Sequence, residues 1–102
     1  MRMSSLSTEY LRYKVTATVA GQDINPTGDT VQFTFTQSNT PPSSGWATGS
    51  WETYPDGNYV AKILIGPAGS QDLAAGSWIP WIKITDNPEI PVRQLPAITI
   101  LP

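Results

Sequence analysis

Four tryptophans, Trp46, Trp51, Trp78 and Trp81, and four tyrosines, Tyr10, Tyr13, Tyr54 and Tyr59, are the side chains of this 102-residue chain best equipped for recognition. An exposed aromatic ring can stack on a sugar or anchor a protein interface. Catalytic chemistry has far less to work with. General acid–base catalysis draws mainly on histidine or on paired carboxylates, and the chain has no histidine. Ser43, Ser44, Ser50 and Ser77 therefore have no histidine to activate them as nucleophiles. There is no GxSxG motif and no glycine-rich phosphate loop followed by Lys and Ser/Thr. With no cysteine, disulfides and thiolate metal sites are excluded.

The carboxylates are Glu9, Asp23, Asp29, Glu52, Asp56, Asp72, Asp86 and Glu89. Most fall in turn sequences, where Asp caps local backbone groups. Asp29, Asp56 and Asp86 read as turn formers of this kind. Asp86 and Glu89 are close enough in sequence to share a calcium ion, but dedicated calcium loops carry denser carboxylates. The expectation is a non-enzymatic protein with no cofactor and no metal site.

Charged residues make up 14% of the chain, against the ~25% of an ordinary globular domain. Either a partner covers part of the surface, or Ser, Thr, Gln and Asn replace charge there. The net charge is −2, and the six basic residues, Arg2, Arg12, Lys14, Lys62, Lys83 and Arg93, are scattered. Phosphate backbones demand clustered cations, so nucleic acid is not an expected partner. The start, MRMSSLSTEYLRYK, has no continuous apolar run of the signal-peptide kind. No window approaches the 18 apolar residues of a membrane span. Synthesis and folding in a cytoplasm are expected, with export inside a larger particle left open.

The elements that position the aromatics read as strands. The length fits one domain. Over 9–19, Leu11, Tyr13, Val15, Ala17 and Val19 alternate with polar residues at the period of a half-buried strand. Thr30–Gln37 does the same, with Val31, Phe33 and Phe35 inward and Gln32, Thr34 and Thr36 outward. Trp46–Thr53 follows, its two tryptophans on opposite faces unless Gly49 marks a bulge. YPDGN at 54–58 is a hairpin turn signal. In Tyr59–Ile65 the odd positions face in. Asp72–Ala75 could form one helical turn. Ser77–Thr85 carries Pro80, which implies an edge strand or a break in the ladder. Residues 86–96, with three prolines, form a stiff connection before a last strand over Ala97–Leu101.

About seven strands in this length point to an all-β fold, a single immunoglobulin-like antiparallel β-sandwich over residues 9–102. A small, partly open β-barrel is the alternative. Residues 1–8 read as a polar N-terminal arm that orders on binding a neighbour. Alternation puts Trp78 and Trp81 on opposite faces; if Trp78 is core, Trp81 is on the surface beside Ile79. Ile79 and Trp81, with Trp46 and Trp51, are therefore the candidate partner-binding residues. In this reading a Trp81→Ser change weakens assembly and spares folding.

The motifs in order resemble small virion-associated structural proteins of tailed bacteriophages, particularly those of actinobacterial hosts. They are Ser7-Thr8-Glu9-Tyr10, Pro26-Thr27-Gly28-Asp29 before Val31-Gln32-Phe33, and Trp46 with Trp51-Glu52. Ile65-Gly66-Pro67 comes next. Then comes Leu73-Ala74-Ala75-Gly76, running through Trp81 to Ile84-Thr85-Asp86-Asn87-Pro88-Glu89 and Pro91-Val92. Each motif is weak alone; together they span most of the chain. The resemblance implies a structural module located in the virion, most simply one that decorates or cements the capsid, otherwise a neck or tail component. Its partners would be the major capsid protein, other virion proteins or copies of itself. It brings no catalytic residue. A carbohydrate-binding module using Trp46, Trp51 and Trp81 is the alternative from a different class, and a detached adhesin domain is a third.

Overall fold

The computed structural model describes residues 2–15, 18–19, 22–23, 26–40, 42–55, 59–85 and 90–102. Its strands are β1 (Arg2–Ser4), β2 (Glu9–Val15), β3 (Thr18–Val19), β4 (Gln22–Asp23), β5 (Thr30–Thr36), β6 (Ala47–Thr48), β7 (Ser50–Thr53), β8 (Tyr59–Ile65), β9 (Gly76–Thr85), β10 (Val92–Gln94) and β11 (Ile98–Leu101). A single 3₁₀ turn, Pro26–Gly28, leads into β5. The larger sheet runs β1-β11-β9-β5-β6, with β10 also on β9. The smaller runs β2-β8-β7, and β3 pairs with β4 as a separate ribbon.

The two sheets share one core, as the alternation requires. Leu11, Val15, Ala61, Ile63 and Ile65 face in from the smaller sheet, and Val31, Phe33, Ile82, Ile98 and Ile100 from the larger. Leu73 and Leu95 plug the core from loops. Asp72–Ala75 is irregular rather than a helical turn, because Leu73 turns inward. The fold is thus a β-sandwich. Its strand order is the immunoglobulin-like one: β5, β9 and β10/β11 make one sheet, β2, β8 and β7 the other.

Two expectations are corrected here. The expected arm, residues 1–8, does not lie outside the sandwich over its described residues 2–8. β1 pairs in parallel with β11, Met3 opposite Ile100, and Met3 is 4% exposed in the core. Three residues of β1 are too few to show a period in the sequence, and their partner lies at the other end of the chain. Trp46–Thr53 is likewise not one strand. β6 pairs with β5 and β7 with β8, so the chain changes sheets at Gly49. The Gly49 amide donates to the Val31 carbonyl at 2.9 Å. A Cβ on Gly49 would stand 2.6 Å from the Lys62 carbonyl oxygen and 2.7 Å from the Phe33 ring. Only glycine fits there.

Pro80 sits in a central strand, not at an edge: β5 lies on one side of β9, and β10 and β11 on the other. The expected break in the ladder falls opposite it. Leu95 N–H donates to the Pro80 carbonyl at 2.8 Å, so Pro80 turns its backbone toward β10 and β11. A residue in an antiparallel strand presents its N–H and C=O to the same neighbour. The missing donor of Pro80 therefore faces 95–97, the gap between β10 and β11. The 54–58 turn joins β7 to β8 with Thr53 opposite Tyr59; its residues 56–58 lie outside the described residues.

Gly49→Ala should destabilise the fold by about 1–3 kcal/mol, the usual cost of overpacking a core. A urea titration followed by tryptophan fluorescence measures it. An unchanged midpoint would mean that the crossing has room the geometry denies.

Candidate interaction surface

The candidate residues lie on two different faces. Trp51, in β7, points into the sandwich and packs against the core, and its Nε1–H donates to the Asp29 carbonyl at 2.9 Å. Trp78 also packs against the core, with its Nε1–H on the Ala74 carbonyl. Trp46, Ile79 and Trp81 belong to the outer face of the larger sheet. Cross-strand register sets Trp81 between Thr34 of β5 and Gln94 of β10, and Ile79 opposite Thr36.

The direction expected for Trp81 holds; its exposure does not. Trp81 is 5% exposed and Ile79 is half-buried. The cover comes from the chain itself. Residues 37–45 leave β5 to reach β6 on its far side, yet Asn39 Oδ1 accepts from Gln94 Nε2 of β10 at 3.1 Å. Since β9 lies between β5 and β10, the Asn39 and Gln94 side chains meet over the outer face of β9, on the side of Trp81. Trp81 Nε1–H then finds Thr36 Oγ1 at 2.8 Å, and Thr34 is buried beside it. A buried indole needs such a partner. The threonines of β5 that alternation marks as wet are therefore the polar lining of a small second core.

At the rim of this covered patch, Lys83 Nζ stands 4.6 Å above the centre of the half-buried Trp46 ring, a cation–π contact. The sequence reading did not single out Lys83, Thr36, Asn39 or Gln94. Only the outward position of Thr36 in a strand pattern hinted at one of them. Ile79, Trp81 and Trp46 are thus brought together, while Trp51 is not with them. The patch offers no pair of open, coplanar aromatic rings.

Charge gathers on the outer face of the smaller sheet. Arg12 Nε and Lys62 Nζ both approach Glu52 Oε2, at 3.2 and 3.7 Å. The same two cations stand over the Tyr10 ring, at 5.2 and 4.6 Å from its centre. These pairs are at least partly exposed, so their contribution to stability is small. Among the described residues no group of three or more carboxylates converges on a metal-binding position. Asp86 and Glu89, the loop pair weighed for calcium, lie outside the described residues, as does Asp56.

Trp81→Phe should cost about 1 kcal/mol, the net worth of one hydrogen bond. Trp81→Ser should cost roughly 3–5 kcal/mol, as a large core truncation does. Guanidinium unfolding of both variants checks this; a Ser variant as stable as the parent would show that the 37–45 cover is not packed on the ring.

The chain matches no protein-family model, no curated protein and no solved structure.

Proposed function

We propose that this chain is a non-enzymatic structural protein of a tailed-bacteriophage virion, a module that decorates or cements the capsid surface. The resemblance of the ordered sequence motifs to such proteins carries the reading. One geometric observation supports it. Two of those motifs, 58 positions apart between Ser7 and Ile65, meet at one end of the sandwich. Ala68 N–H reaches Thr8 Oγ1 at 3.4 Å, and a Cβ on Gly66 would collide with the Ser7 carbonyl. Gly66 also has a φ of +125°, a conformation that favours glycine.

This closed corner presents Leu6, 86% exposed, at its tip. In this reading Leu6 is the side chain of the corner that meets a neighbouring protein. The carbohydrate reading has weaker support. It needs open aromatic rings, and of its three tryptophans Trp81 is buried and Trp51 packs on the core.

Quantitative mass spectrometry of intact particles from the source phage tests the proposal. Near-stoichiometric abundance with the major capsid protein is expected. A few copies per particle would move the protein to the neck or tail, and complete absence would overturn the virion assignment. Leu6→Asp should leave the unfolding midpoint unchanged and lower the amount retained on particles severalfold. Equal retention would remove the Leu6 corner from the binding surface.

A further inference from the structure

Among the described residues, the sandwich is open at the seam between β2 and β10. Tyr13 belongs to the inward row of β2, opposite Ala61, yet it is 39% exposed. Beneath it lies a cleft of about 390 Å³, lined by Tyr13 and Val15 on one side and Ile82 and Ile84 on the other, with Lys14 and Arg93 at its rim. An immunoglobulin-like sandwich commonly places its first strand beside the second, in the sheet that holds β8 and β7. Here β1 pairs with β11 instead. Among the described residues nothing pairs with the outer edge of β2 over its seven residues. Such an edge is a row of backbone donors and acceptors, ready for another strand.

Charge says what kind of strand. Arg12 and Lys14 stand in the outward row of β2, Lys62 is on the neighbouring β8, and Arg93 pairs in register with Ile82 at the cleft. These are four of the six basic residues of a chain whose net charge is negative. Among the described residues, Glu52 is the one carboxylate in ion-pair contact with them, and Lys14 and Arg93 have no ion pair. A second copy would bring Arg12 and Lys14 to the seam twice. A strand of opposite charge pairs Lys14 and adds a second carboxylate beside Arg12, which Glu52 already contacts; Glu9 stands at the far end of the edge, away from both.

We infer that the β2 edge and its cleft bind an extended segment of a partner protein in which apolar and acidic residues alternate. The segment adds a strand beside β2 by β-augmentation. Its apolar side chains enter the cleft against Tyr13, Val15, Ile82 and Ile84. Its carboxylates meet Arg12 and Lys14 on the outer face. This binding mode does not depend on the virion assignment; it follows from the open edge and its charge.

The test uses the whole chain, isotope-labelled, and two capped eight-residue peptides. One alternates valine and glutamate, the other valine and lysine. The glutamate peptide should cause saturable shifts of the backbone amide resonances of residues 9–15 and 92–94, and should bind at least tenfold more tightly than the lysine peptide. The Arg12→Glu/Lys14→Glu double variant should reverse that preference while still unfolding cooperatively, its midpoint lowered only by loss of the exposed Arg12–Glu52 pair. Absence of shifts at millimolar peptide would overturn the inference, as would equal binding of the two peptides. Light scattering on the free chain closes the remaining case: a dimer abolished by the double variant would make the occupant a second copy and overturn the assignment to an acidic partner.

Discussion

The contact of the Phe33 ring with Gly49 is the constraint on which the rest of this molecule turns. Phe33 is fully buried at the centre of β5, and the chain passes close against it on the way from one sheet to the other. A side chain at 49 would push the crossing strand off the ring and off the Lys62 carbonyl. Because the crossing is one residue long, β6 and β7 are held to different sheets with no loop between them. That separation decides the fate of the two tryptophans that flank it. Trp46 stays with the larger sheet and meets Lys83; Trp51 enters the core with the smaller one. A looser crossing would leave both free to choose.

Pro80 imposes the second constraint, and it acts through absence of a donor. A proline in the middle of a central strand costs a ladder hydrogen bond. The chain answers by placing the gap in the neighbouring strand where that bond would have been. Leu95 still uses the Pro80 carbonyl, and its side chain drops into the core at the gap. Pro96, also without an amide hydrogen, follows at once. The two prolines therefore stand at the same break, and β9 keeps unbroken pairing with β5 from Thr30 to Thr36.

Period-two alternation made the inward rows of β2, β5, β8 and β9 legible, and with them the sandwich class. Phe33, Ile63, Ile65 and Ile82 could be placed in the core from pattern alone. Alternation names a face, however, and does not say what lies on it. Trp81 was assigned to the correct face and the wrong environment, because its cover is a polar Ser, Thr, Asn and Pro segment with no period. Met3 escaped for a different reason: its strand is short, and its partner, Ile100, is 97 positions away. The Gly49 crossing is hidden within one strand-like run, Trp46–Thr53, because a glycine inside such a run marks a bulge or a change of sheet with equal ease. Non-local pairing and loop cover are tertiary facts; nothing local to the residues encodes them.

The same distinction explains why the β2 seam carries the sharper functional argument. A natural sandwich manages its edges by covering, shortening or charging them. The larger sheet is finished on one side by β1, and its outer face carries the Asn39–Gln94 hydrogen bond and the buried Trp81. The β6 edge is only two residues long. β2 is in register along β8 over all seven residues; its outward row carries Arg12 and Lys14, and the strand starts at its one carboxylate, Glu9. Cations of one sign repel another copy of the same edge and do nothing against an acidic strand. A device that only prevented aggregation would not also require an open cleft beneath Tyr13. Tyr13 is turned inward and is still 39% exposed, with no described residue packed over it from the β2 edge. The charges select against self-association, and the cleft supplies the reason for leaving the edge open.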